Sequence, residues 1–207
     1  MKKLIPLLLT VLTFAACEKD PDTDKLDNNY LVYTDYDQKA DFGSFATYYL
    51  PDSILIIGDS KEAEYWKDDN AQEILNAYVE NMTNRGYFRV DDREEADLGL
   101  QVSYIKSTYY FADYGNWWNY PGYWGAPYWG NWGGCYYPYA VSYSYSTGSF
   151  IAELLNLDAP QGTSAKLPVL WNCYMTGLLS NSTSFNLKLA VQGVNQAFIQ
   201  SPYLNAE

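Results

Sequence analysis

Asp35, Asp37 and Asp41, and the pair Cys135 and Cys173, are the side chains whose type and spacing first suggest chemistry. The aspartates form an Asp-x-Asp-x-x-x-Asp array that could offer oxygens to Ca²⁺, although it lacks the glycine and distal glutamate of an EF-hand loop. Carboxylates alone also suffice for glycosidase-type catalysis, which needs two placed acids. The structural alternative is that aspartates gather at a strand–turn junction because they bond the turn backbone. The two cysteines can form a disulfide in an oxidising compartment, contributing about 2–4 kcal/mol if unstrained. Otherwise Cys173 is a buried thiol and Cys135 an unpaired one. The chain has no histidine, which removes the usual general base, the usual triad partner and most zinc sites. No Gly-x-Ser-x-Gly elbow, Walker loop or Cys-x-x-Cys pair occurs. No cofactor is therefore expected.

A third cysteine carries a different chemistry. Lys2 and Lys3 precede the apolar run Leu4–Phe14, which as a helix would span roughly 16 Å, about half of a hydrocarbon core. Such a run is too short to cross a membrane and fits a secretory signal. It ends in Phe14-Ala15-Ala16-Cys17, which resembles a bacterial lipobox and implies cleavage before Cys17 and lipidation there by acyl chains of the palmitate class. Residues 1–16 then form the signal peptide, and 17–29 the lipidated cysteine and an acidic, flexible tether. Glu18 stands where an aspartate would commonly retain a lipoprotein in the inner membrane, so the expected location is the outer membrane. Glu18-Lys19-Asp20-Pro21-Asp22 resembles a short acidic surface-export signal, and equally suits a plain solvated tether. The periplasmic and outer faces both stay open. Asp52-Ser53-Ile54 resembles a short O-glycosylation acceptor of some Gram-negative envelope proteins.

Net charge is −12, and removing Lys2 and Lys3 makes it −14. No Lys or Arg lies between Lys106 and Lys166, so the chain has no electrostatic footprint for nucleic acid. That same interval holds a Tyr/Trp/Gly/Pro-rich insertion, residues 107–140, with five of the seven tryptophans. Its candidate binding residues are Trp117, Trp118, Tyr120, Tyr123, Trp124, Tyr128, Trp129 and Trp132. Three readings are open. The rings can bind a glycan or protein partner, lie at the membrane interface beside the lipid anchor, or pack on one another and on the domain as an irregular loop.

These residues need a scaffold, and the patterning predicts one domain over residues 30–202. Alternation marks strands at Tyr30–Tyr36, Leu98–Tyr104, Val141–Tyr145 and Pro168–Gly177, and Phe150–Leu157 continues extended. Phe45–Leu50 is a short strand, Tyr87–Val90 a short extended piece, and Ile54–Ile57 an apolar run in a connecting loop or a further strand. In Leu98–Tyr104 the alternation predicts a single buried face. Ile74, Leu75, Tyr78, Val79 and Met82 share one face of a helix capped by Asp68 or Asp69 and stopped at Gly86. Leu187, Ala190, Val191, Val194 and Phe198 form the stripe of a second helix that begins at Ser182, Thr183 or Ser184, with Pro202 beyond its end. The expected fold is α+β: an antiparallel or mixed sheet of about five or six strands, joined mainly as hairpins, with both amphipathic helices on one face.

Several stretches carry a resemblance. They are Asp35-Tyr-Asp-Gln-Lys-Ala-Asp-Phe-Gly-Ser-Phe-Ala-Thr-Tyr-Tyr-Leu-Pro, Asn84-Arg-Gly-Tyr-Phe, Ala96-Asp97-Leu98, Val169-Leu-Trp171 and the last helix to Ser201-Pro202. With these the chain resembles the bacterial lipoprotein domains of domain-of-unknown-function family 4136, over Tyr30–Pro202 apart from the insertion. The resemblance implies an α+β domain and an envelope location, with no activity or site residues to carry over. The expectation is a non-enzymatic outer-membrane lipoprotein, held to the membrane by its lipid anchor, whose aromatic insertion contacts a glycan, a protein partner or the membrane interface. The alternative is a carboxylate-dependent enzyme acting on envelope glycans.

Overall fold

The computed structural model describes residues 31–60, 62–106, 129, 134–141, 147–159, 166–177 and 183–206. Nine strands run through them: β1 (Leu31–Tyr36), β2 (Thr47–Tyr49), β3 (Ile54–Ile57), β4 (Glu64–Trp66), β5 (Phe88–Val90), β6 (Leu98–Ile105), β7 (Cys135–Tyr136), β8 (Ser149–Asn156) and β9 (Leu167–Thr176). Two α-helices lie among the described residues, α1 (Asp69–Asn84) and α2 (Thr183–Gln200).

The sheet order is β1-β9-β8-β6-β2-β5, with β3 joined to β4 and to β6, and β7 joined to β9. Long antiparallel ladders link β1 to β9, β9 to β8 and β8 to β6. Parallel pairs join β2 to β5, β2 to β6, β3 to β6 and β7 to β9. The mixed α+β sheet is as expected, but the count of five or six strands and the mainly hairpin connection are not. The missing strands, β4 and β7, have three and two residues, too few to show a period. The parallel β2–β5 pair arises because α1 carries the chain back across the sheet before β5 begins. Residues 142–146, central to the expected Val141–Tyr145 strand, lie outside the described residues.

Both helices form for legible local reasons. The Asp68 carboxylate accepts from the Ala71 N–H (3.1 Å) at the start of α1, satisfying one of the free donors of the first turn. At the far end Gly86 takes φ 84°. Its N–H donates to Thr83 (3.0 Å) and that of Tyr87 to Met82 (3.1 Å), the crossed bonds that close a helix on a left-handed residue. Ile74, Leu75, Tyr78 and Met82 of α1 enter one core with Ala190, Val194, Ala197 and Phe198 of α2. The same core takes Leu98, Leu100 and Val102 of β6, Phe150, Ala152 and Leu154 of β8, and Trp171, Cys173 and Met175 of β9. Each large side chain fully buried there contributes about 1.5–3 kcal/mol. The helices thus share one face of the sheet. Asn81 Nδ2 donates to Asn195 Oδ1 (2.7 Å), and Arg85 donates to the carbonyls of Phe198 and Pro202, fastening α1 to the end of α2.

The reverse face departs from the expected single-sided burial. Gly99, Gln101 and Ser103 alternate with the core residues of β6, yet Gln101 and Ser103 are also buried. A second cluster, formed by Trp129, Cys135, Leu155, Leu167 and Val169, lies on that face, with Trp129 docked over Gly99 and Gln101.

Candidate functional sites: a covered polar row and an aromatic pocket

Strand register places four polar side chains in line across the reverse face. Asp35 of β1 faces Asn172 of β9, Asn172 faces Glu153 of β8, and Glu153 faces Gln101 of β6. Gln101, Glu153 and Asn172 are buried, and each is met by an aromatic donor. The Trp129 indole N–H donates to Gln101 Oε1 (2.5 Å). The Tyr137 hydroxyl donates to Glu153 Oε1 and the Tyr139 hydroxyl to Asn172 Oδ1 (3.0 Å). Tyr137 and Tyr139 pack edge to face with centroids 5.5 Å apart, and Trp129 packs edge-on against Tyr49 at 5.8 Å. Gly99 makes this docking feasible, since a Cβ there would come within 2.4 Å of Trp129 Cζ3.

Several sequence expectations meet their geometry here. Trp129 is 1 % exposed, so that candidate binding residue is spent on packing. Trp117, Trp118, Tyr120, Tyr123, Trp124, Tyr128 and Trp132 lie outside the described residues, as does Cys17. The Cys135–Cys173 disulfide is not formed, and both thiols are free and buried. Cys135 pairs beside Leu167 in the reverse-face cluster, whereas Cys173 lies in the helix-covered core. From 167 to 173 the strand advances roughly 20 Å at about 3.3 Å per residue, far beyond disulfide reach. Burial raises the pKa of both, helped at Cys135 by the Glu153 charge, so each stays a protonated, poorly nucleophilic thiol. Ser53, the glycosylation candidate, is 2 % exposed, which withholds its hydroxyl from a transferase acting on the folded domain.

The aspartate array does not converge. Asp37 accepts from the Lys39 N–H (3.0 Å) in a tight turn, Asp35 accepts from the Tyr36 N–H (2.9 Å), and Asp41 precedes a short 3-10 turn without a side-chain cap. Among the described residues no group of three or more His, Cys, Asp or Glu side chains could hold a metal ion. Asp35 and Glu153 do share a face, two strand spacings or roughly 10 Å apart. That is near the upper end for inverting glycosidase pairs, but Glu153 is fully buried beneath Tyr137.

Asp97, from the Ala96-Asp97-Leu98 motif, has a structural role that the sequence pattern did not announce. Its Oδ2 accepts from the N–H groups of Ala46 (2.7 Å) and Thr47 (2.8 Å), and Thr47 Oγ1 meets the Asp97 N–H at 3.0 Å. Burial alone would raise its pKa, but those hydrogen bonds prevail and hold it below the usual value. The carboxylate thus ties the start of β2 to the start of β6.

At the opposite end of β6 a pocket of about 420 Å³ opens between sheet and helices. Ile56, Trp66, Tyr104 and Phe150 form its sheet side, Asn70 and Ile74 come from α1, and Asn186, Leu187 and Ala190 from α2. Trp66 stacks on Phe150 at 6.3 Å and meets Tyr104 edge-on at 6.0 Å, while Tyr104 and Phe150 lie 5.0 Å apart. The Trp66 indole N–H is held by Asp68 Oδ1 (2.5 Å), the same carboxylate that caps α1. Lys106 completes the lining, with its Nζ 3.8 Å from Glu64 Oε2. Sequence reading missed this site because its residues come from six elements. The available hints were Lys106, the last cation before a long interval without one, and Trp66, a tryptophan outside the insertion.

The family model for a domain of unknown function, DUF4136, matches residues 32–203. A crystal structure of a DUF4136 family protein from Bacteroides thetaiotaomicron is 58% identical, covers 87% of this chain and 100% of its own, and superposes with a TM-score of 0.79. No curated protein matches the chain. With its sheet, helices and Asp97 motif inside the matched span, the chain belongs to the DUF4136 family.

Proposed function

We propose that the protein is a non-enzymatic, lipid-anchored outer-membrane lipoprotein whose DUF4136 domain binds a small, largely apolar ligand. The observation that carries the binding role is the pocket walled by Trp66, Tyr104 and Phe150. Its volume falls in the roughly 300–1,000 Å³ range of small-molecule sites, and such sites are mainly apolar with few polar groups. Binding fits the described chemistry better than catalysis does. Both described thiols are buried, Glu153 is sealed and hydrogen-bonded, and histidine is absent. A carboxylate enzyme that paired Asp35 with Glu153 would need Glu153 to reach its substrate.

The anchor follows from the signal and lipobox at Cys17. No helix among the described residues is long and apolar enough to cross a membrane. The candidate binding residues of the insertion other than Trp129 keep their proposed contact with a glycan, a protein partner or the membrane interface.

Two measurements test this reading. N-phenyl-1-naphthylamine, a neutral apolar fluorophore, should bind at one saturable site and be displaced from a Leu187→Trp variant. Equal binding by that variant overturns the pocket assignment. Metabolic palmitate labelling and membrane pelleting should both be lost in Cys17→Ala, and a labelled, membrane-bound variant rejects the anchor.

A further inference from the structure

We infer that the pocket between α1, α2 and the end of β6 takes a single-chain amphiphile with one anionic head group, of the fatty-acid class. The inference rests on the proposed binding role of that pocket and adds the ligand's charge and shape. Lys106 is the one charged side chain among the described residues of the lining. It is a conspicuous placement in a chain whose net charge is −12. Its partner Glu64 lies 3.8 Å away, and the two side chains are 63% and 44% exposed. A pair so solvated contributes little, so a ligand carboxylate can take the ammonium without breaking a strong contact.

The helices reinforce the preference. Asn70 and Asn186 reach the pocket from near the N-terminal ends of α1 and α2, where the helix dipole presents partial positive charge. At α1 that charge is answered by Asp68 and Asp69. The first turn of α2 holds no acidic residue. The anionic head therefore belongs at Lys106, and the start of α2 is the helix end beside the pocket that no carboxylate neutralises. Below the head Trp66, Phe150, Ile74, Leu187 and Ala190 offer mainly apolar surface, which suits an unbranched alkyl body, with Asn70, Asn186 and the Tyr104 hydroxyl as the other polar groups of the lining.

The test uses the full chain carrying Cys17→Ser, so that neither an acyl anchor nor detergent competes for the site. Decanoate, decanol and decyltrimethylammonium are titrated by calorimetry near neutral pH. Decanoate should bind about five-fold more tightly than decanol, the most that a solvated ion pair supplies, and decyltrimethylammonium more weakly than either. Lys106→Gln should erase the preference for decanoate while leaving decanol unchanged. Leu187→Trp, and Asn70→Phe from the other helix, should each weaken decanoate and decanol at least ten-fold, with unfolding curves confirming that the variants are folded. Decanol binding as tightly as decanoate, with Lys106→Gln silent, overturns the anionic assignment and leaves the pocket standing. If no probe binds, or if binding ignores both Leu187→Trp and Asn70→Phe, the pocket itself is not the site and the inference falls with it.

Discussion

Beneath the helices, adjacent positions on β6, β8 and β9 present Val102, Ala152 and Cys173; one residue along, the reverse side of those strands presents Gln101, Glu153 and Asn172. Both rows are buried, and they are covered by different physics. The first meets aliphatic and aromatic stripes of α1 and α2, where fit is a matter of volume and non-directional burial. The second meets three donors, one from each of Trp129, Tyr137 and Tyr139. An unmatched buried acceptor costs about 1–3 kcal/mol, so the reverse face accepts a covering segment only if its donors fall at the right places. The helical face therefore holds the domain together, and the polar face selects what lies upon it.

Four substitutions or treatments can break or sharpen this contrast, beginning with the largest effect. Trp171 is fully buried on the helical face, with its indole N–H donating to Ser201 Oγ (2.8 Å). Trp171→Ala should lose about 3–5 kcal/mol in denaturant unfolding, enough to threaten folding outright. A loss below that of the reverse-face variants would show that the helical face is not the main store of stability.

Gly99→Ala comes next, at about 1–3 kcal/mol, because its methyl would collide with the Trp129 ring. The damage should shrink when Trp129→Ala is added, and a double-mutant cycle without coupling would separate Gly99 from the docking of that ring. Asp97→Asn tests the seam between β2 and β6 and should cost about 1–2 kcal/mol near neutral pH. Because folding lowers the Asp97 pKa, its contribution is present in full above the unfolded value of about 3.9 and is lost as pH falls through the folded one. Wild type and Asp97→Asn should therefore converge in stability under acid; a gap that widens instead would contradict the hydrogen-bonded carboxylate. The smallest effect is expected of reductant. Since Cys135 of β7 packs in the reverse-face cluster and Cys173 of β9 in the helix-covered core, unfolding midpoints should not move with dithiothreitol. Alkylation of the unfolded, unreduced chain should modify both thiols.

Much of the helical face was legible in one dimension. The Asp68 cap, the Gly86 stop and the stripe from Ile74 to Met82 depend on residues within a few positions of one another. The long strands announced themselves by alternation, and the motifs around Asp35, Asn84, Asp97 and Trp171 carried the family. The reverse face misled for an equally physical reason. Gln101 in an alternating strand has the pattern of a solvated position, and nothing local reveals that an indole from Trp129 will dock over it. The cysteine pair failed as an expectation because counting thiols says nothing about which face of a strand each one takes. The pocket was invisible because Trp66, Tyr104, Lys106 and Phe150 become neighbours only when β4, β6 and β8 assemble.

Short-range rules therefore account for the two helices, the long strands, the acidic charge, the absence of histidine chemistry and the family. Strand order, the parallel pairs, the line from Asp35 through Asn172 and Glu153 to Gln101, the separation of Cys135 from Cys173 and the aromatic pocket came with assembly. The division follows the range of the interactions. Caps, turns and periodicity act over one or two turns of chain, whereas cross-strand register and the matching of buried donors to acceptors join residues far apart in sequence.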